Sequence, residues 1–229
     1  MKIAIVTGAT GNLGLPIVKK FIDEDYKVAG TILPNDKVQV DLPVEKFEEV
    51  IVDLTNEEDS AKFVSDVVLR NGSVDVVVLT VGGFAMGSVA ETKTSDIAKQ
   101  YTLNFETAYN IAKPVFIQML KQKSGRIFFV GSRPGLNAMQ GNGMVAYGLA
   151  KSLIFRLAEL MNEEAKGTNV VTSVIVPSTI DTPQNRKAMP GIDPEAWVKP
   201  ETIAEVIYFY CTDAASALRE PVIKIYNNA

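Results

Sequence analysis

Histidine is absent from all 229 residues. The commonest acid/base side chain is therefore excluded, and proton chemistry must run through Tyr, Lys, Asp, Glu or Cys. Cysteine occurs once, at Cys211, so no internal disulfide can form. With one cysteine and no histidine, zinc sites of the usual kind are excluded too, and no metal is expected. Basic runs are missing. The net charge is −4 and the pI about 5.1, which argues against a nucleic-acid partner. No stretch approaches the ~18 apolar residues of a membrane span, and the apolar stretch after Met1 is too short for a signal peptide. The expectation is a cytoplasmic protein with no membrane association. Ser/Pro-rich linkers and internal repeats are also missing, which favours one domain over residues 1–229.

Apolar runs alternate with helix-period stretches. Strands are expected at 2–6, 27–32, 49–52, 74–80, 126–130, 169–176 and 222–226. Helices are expected near 12–24, 56–70, 93–122, 145–166 and 200–211. Strands apolar on both faces, alternating with helices, predict an α/β fold: a doubly wound (Rossmann) parallel sheet of about seven strands with helices on both faces. Residues 177–200 break the pattern. They contain Pro177, Pro183, Pro190, Pro194 and Pro200 and little periodicity. A long irregular segment after a late strand predicts a substrate lid.

Two segments carry chemistry. The first is Thr7-Gly8-Ala9-Thr10-Gly11-Asn12-Leu13-Gly14, between the first strand and first helix. Glycines there let backbone N–H groups approach a pyrophosphate at a helix N-terminus, so a dinucleotide is expected. Cofactor choice should be written after the second strand, in Gly30-Thr31-Ile32-Leu33-Pro34-Asn35-Asp36-Lys37. Asp36 suits a ribose hydroxyl and Lys37 a phosphate; either also fits a solvated turn. The lack of arginine leans to NAD over NADP. Asp53, beside Leu54 at the end of the third strand, could accept from the adenine amino group or cap the next helix. Gly82 and Gly83, after Val81, allow a ligand to approach the end of the fourth strand closely.

The second segment is strand 126–130 with Ser132 beyond its end, followed by Tyr147-Gly-Leu-Ala-Lys151. Residues four apart share one helix face. An ammonium beside a phenol lowers the phenol pKa from about 10, making a general acid/base for a carbonyl oxygen. Tyr109 and Lys113 have the same spacing, but before that strand and followed by Pro114. That pair reads as an amphipathic helix surface.

With these residues in place, the chain resembles the short-chain dehydrogenases/reductases over essentially its full length. The resemblance implies hydride transfer between NAD or NADP and a C=O or C=N group of a small molecule. It implies Tyr147 as proton donor and Lys151 as the group that lowers its pKa and bonds the nicotinamide ribose. Ser132 would orient the substrate, and Asn104 would hold a relay water. Pro177, Ile180 and Thr182 would lie along the nicotinamide. Helices 93–122 and 145–166 would form the interface of a homodimer or homotetramer.

Val81-Gly-Gly-Phe84, the run Pro177 to Pro190, and Trp197 are similar to dihydropteridine reductases. Trp197 could then stack a planar heterocycle, with Asp181 or Arg186 at its edge and Met189 nearby. Equally, Asp181 could cap the lid helix and Trp197 anchor it. Ser132 stands fifteen residues before Tyr147, further than is usual in the family, and 137–143 could loop out the excess. The presence of Ser132 favours a small ketone or aldehyde reductase instead. A third reading, from another class, is a dinucleotide-binding redox sensor without turnover.

Overall fold

The computed structural model describes residues 1–34 and 40–228. Seven strands form one parallel sheet: β1 (Lys2–Thr7), β2 (Tyr26–Ile32), β3 (Phe47–Ile51), β4 (Val76–Leu79), β5 (Ser124–Val130), β6 (Asn169–Pro177) and β7 (Val222–Ile225). Their spatial order is β3-β2-β1-β4-β5-β6-β7. The order reverses between β1 and β4, where Thr7 pairs with Leu79. A doubly wound sheet opens its ligand crevice at that point, beyond the strands' carboxyl ends.

The helices are α1 (Gly14–Asp23), α2 (Glu57–Asn71), α3 (Thr94–Tyr101), α4 (Thr107–Gln122), α5 (Arg133–Leu136), α6 (Val145–Glu164), α7 (Pro183–Ala188) and α8 (Pro200–Phe209). Ile17, Val18 and Phe21 of α1, with Ile203 and Ile207 of α8, cover one sheet face. Phe63 and Val67 of α2, Ile111 and Val115 of α4, and Ile154 and Ala158 of α6 cover the other. Every residue of β4 is therefore buried, which accounts for the unbroken run Val76-Val-Val-Leu79. Asn56 caps α2 by accepting from the Glu58 and Asp59 backbone N–H groups.

The stretch expected as one helix over 93–122 is interrupted. Between α3 and α4 lies a π-helical turn, Thr102–Glu106, where the Thr107 N–H reaches back five residues to the Thr102 carbonyl. Hydrophobic periodicity cannot register one extra residue per turn. Tyr101, Phe105 and Tyr109 form an aromatic ladder along this segment, and Lys113 pairs with Glu57 at 2.7 Å. The Tyr109/Lys113 pair is thus an amphipathic surface. Among the described residues, no helix is long and apolar enough to cross a membrane.

Candidate active site

The glycine-rich turn is a backbone-on-backbone construction. Gly8 has φ +61°, and the Gly11 N–H donates to its carbonyl at 2.9 Å. A Cβ on Gly14 would lie 2.0 Å from the Gly8 oxygen, so the start of α1 sits directly on the end of β1. Leu13 provides no side-chain cap, and the first turn of α1 holds no acidic residue. Leu15 and Ile17 spend their N–H groups on the Gly11 and Leu13 carbonyls and Pro16 has none, so an anion at this helix start would be met by the turn residues Gly11 to Gly14. This cradle fits the diphosphate of a dinucleotide.

Sequence reading missed the threonines that hold the turn. Thr31 receives the Ala9 N–H on its carbonyl and the Gly8 N–H on its hydroxyl. Thr80 donates its hydroxyl to the Thr7 carbonyl, while the Thr7 hydroxyl accepts from the Thr80 N–H at 3.0 Å. These exchanges join the ends of β1, β2 and β4. Their only trace in sequence is a threonine at each of three strand ends.

Ser132, Tyr147 and Lys151 are brought together despite the long spacing. Ser132 caps α5, its hydroxyl accepting from the Gly135 N–H at 3.2 Å. Asn137 caps a single 3-10 turn, Ala138–Gln140, so the surplus residues are taken up outside the site. The Ser132 hydroxyl lies on the Tyr147 side, where it favours the tyrosine's charged form. The Lys151 ammonium donates to the Val130 carbonyl at 2.7 Å. A Cβ on Gly135 would come within 2.7 Å of the Lys151 backbone, so α5 lies flat on α6.

The electrostatics depart from the sequence-based expectation. Tyr147 is raised above its ordinary value by burial, with the Ser132 hydroxyl offsetting part of the shift. Lys151 is not among the causes. Its ammonium is turned to the Val130 carbonyl, and burial lowers its pKa to about 8.

Asn104 sits on the π-helical turn and reaches the end of β4. Its amide oxygen accepts from the Gly83 N–H at 3.0 Å, and its amide nitrogen donates to the Gly83 carbonyl at 3.0 Å. The same nitrogen donates to the Gln100 backbone and side-chain oxygens. Both amide protons are engaged, so a relay water held by Asn104 would have to donate to one of its oxygens. A Cβ on Gly82 would stand 2.7 Å from the Asn104 oxygen and 3.2 Å from the Lys151 ammonium. Gly82, Asn104 and Lys151 therefore meet at one point, with Val81 packed on the core beneath.

The remaining expected residues divide. Asp53 does not cap α2; it accepts from the Thr55 N–H and hydroxyl and stays exposed. Leu54 is buried, its carbonyl receiving the Asn110 amide. Pro177 ends β6 opposite Ile225, and Ile180 bridges to Val198. Thr182, not Asp181, caps α7 by accepting from the Asn185 N–H at 3.1 Å. Asp181 instead forms a two-bond ion pair with Arg186, at 2.6 and 2.8 Å. Trp197 is only 4 % exposed, so it anchors the segment and presents no stacking face. Met189 ends α7, half-buried. Asp36 and Lys37 lie outside the described residues.

A reversing parallel sheet, a glycine cradle at its switch point, and a Ser/Tyr/Lys cluster beside it define a dinucleotide-dependent oxidoreductase. The chain belongs to the short chain dehydrogenase family, which it matches over residues 2–192. It is 28% identical over 190 residues to an acetoacetyl-CoA reductase of Acinetobacter sp., covering 80% of this chain and 75% of that one. It is 27% identical to a 3-oxoacyl-(acyl-carrier-protein) reductase of Thermotoga maritima, covering 98% and 96%. Among solved structures, ElxO with NADP bound superposes with a TM-score of 0.89 at 23% identity, covering 98% and 96%. That likeness carries the fold.

Proposed function

We propose that this protein is an NAD(P)H-dependent carbonyl reductase in which Tyr147 donates the proton. The observation that carries the reading is the grouping of a buried Ser132 hydroxyl, Tyr147 and a buried lysine beside the glycine cradle. The reduced nicotinamide, when bound, supplies hydride to the carbonyl carbon. Ser132 and Tyr147 bond the carbonyl oxygen from one side. As charge develops on that oxygen, the Tyr147 hydroxyl transfers its proton, and C=O becomes CH–OH. A raised pKa keeps Tyr147 protonated and able to donate at neutral pH. Lys151, freed from the Val130 carbonyl, reaches the nicotinamide ribose. Asn104 fixes Gly83, and with it the wall beside that ribose.

Gly8, Thr10, Gly11, Asn12, Leu13 and Gly14 hold the diphosphate. Asp53 and Leu54 flank the adenine, Val81, Gly82 and Gly83 the ribose, and Pro177, Ile180 and Thr182 the carboxamide. NADP bound to ElxO supports a nicotinamide dinucleotide without choosing between NAD and NADP. Both named relatives reduce ketones, which favours C=O over the C=N-type acceptor of a dihydropteridine reductase. The pterin reading offered Trp197 as a platform, and Trp197 is buried. Residues 177–200 act as the lid within one domain. The exposed Tyr101 and Tyr109, with Leu149, Leu153 and Leu160 of α6, suit a two-fold interface with a second copy.

The test is absorbance loss of NADH and NADPH, each with a ketone and with quinonoid dihydropterin. Ketone reduction supports the proposal; reduction of the pterin alone restores the other reading. Tight dinucleotide binding with no oxidation by any acceptor points to a redox sensor. A pH profile adds a check. Lys151 loses its charge as pH rises through about 8. Since kcat/KM for the dinucleotide reports the unliganded enzyme, it should fall above that pH with an apparent pKa near 8. A profile flat to pH 10 would remove Lys151's charge from the mechanism.

A further inference from the structure

Two loops wall the far side of Tyr147: residues 81–92 after β4 and residues 137–144 before α6. They are bonded to each other. The Gly87 N–H donates to the Gly143 carbonyl at 2.7 Å, and the Val145 N–H donates to the Gly87 carbonyl at 3.0 Å. Gly143 has φ +71°, and the Met86 methyl lies 3.7 Å from its Cβ position. Phe84 stands edge-on to the Tyr147 ring, with centroids 5.2 Å apart and planes at 73°. Phe84 is nevertheless 61 % exposed, Met86 67 %, and Met139 on the facing loop 88 %.

Single exposed apolar side chains are ordinary. Here the aromatic ring that touches the proton donor leaves most of its surface uncovered, and a methionine, which adapts to irregular shapes, stands beside it. The bonded loops fix both next to the reacting hydroxyl. Edge-to-face and offset aromatic contacts reward a ring placed there beyond its buried area. We infer that Phe84 is a specificity-determining residue, and that the substrate's carbonyl carries a large apolar aryl group that lies on Phe84 and Met86. The inference rests on the carbonyl-reductase reading and names its substrate class.

The experiment compares 1-phenyl-1,2-propanedione with 2,3-butanedione, which share the reacting dicarbonyl and differ by phenyl for methyl. Wild-type protein with NADPH or NADH should prefer the phenyl compound in kcat/KM by about tenfold or more. Phe84→Ala should erase that preference, lowering kcat/KM for the phenyl compound about tenfold or more beyond any change for butanedione. Phe84→Leu should keep an intermediate preference. Equal rates in the wild type, or an undiminished preference in Phe84→Ala, overturn the inference while leaving carbonyl reduction standing. If neither dione is reduced by NADH or NADPH, the reductase reading fails. Quenching of bound NADPH fluorescence then decides the inference: binding of the phenyl compound alone, lost in Phe84→Ala, supports it, and any other result overturns it.

Discussion

Tyr147→Phe should lower turnover by about 10²- to 10⁴-fold and leave the dissociation constant for NADH or NADPH within a few-fold of wild type. The substitution removes one hydroxyl and keeps the ring. The contact with Phe84 survives, since it is made through ring atoms. Ser132 keeps its bond from the Gly135 N–H and remains the cap of α5. Lys151 keeps the Val130 carbonyl. What is lost is the proton carried to the oxygen of the substrate. With no histidine in the chain, no nearby imidazole can take over. Stopped-flow single turnover, combined with fluorescence titration of the dinucleotide, separates the two effects. Turnover within about tenfold of wild type would falsify the role of Tyr147. Ser132→Ala should cost less, because Tyr147 can still bond and protonate the oxygen.

Gly14→Ala should weaken dinucleotide binding by more than about a hundredfold. The added methyl would sit 2.0 Å from the Gly8 oxygen and 2.8 Å from the Gly8 carbonyl carbon. Both are backbone atoms, so no rotamer change relieves the clash. Either α1 withdraws from β1 or the turn opens, and both outcomes dismantle the diphosphate cradle. Overpacking of this kind typically costs about 1–3 kcal/mol of stability, so a lower melting temperature should accompany the binding defect. Gly191→Ala is the control, because a Cβ there meets nothing within 4 Å. Equal dinucleotide affinity in Gly14→Ala and wild type would show that the ligand is held elsewhere.

The fold was legible because burial on both faces writes itself as continuous apolar runs. Val76-Val-Val-Leu79 and the long run of β6 could hardly be anything but central parallel strands. The cradle and the Ser132, Tyr147 and Lys151 cluster were legible for a different reason: their chemistry demands particular residue types in a fixed order along the chain. What was not legible depends on where side chains turn. Asp53 could have capped α2, but Asn56 is better placed, and Asp53 folds back on Thr55. Trp197 looked like a platform until its burial was seen. The direction of the Tyr147 shift was also hidden, since spacing places Lys151 on the same face but does not say which oxygen its ammonium chooses. Thr7, Thr31 and Thr80 are common strand residues, and nothing in their identity announces that they tie three strands together.

The π-helical turn has a consequence for how this chain can change in length. An α-helix advances about 100° per residue. Deleting one residue between 102 and 106 would restore plain helical register. It would also swing Asn104 by roughly that angle relative to α4, away from Gly83, whatever amino acids remained. Insertions in 137–141, ahead of the bond between Gly143 and Gly87, meet no such constraint, because an irregular turn there already absorbs surplus residues. Two segments that border the same site should therefore differ sharply in their tolerance of gaps. In one, residue number is fixed by geometry; in the other, it is free to drift.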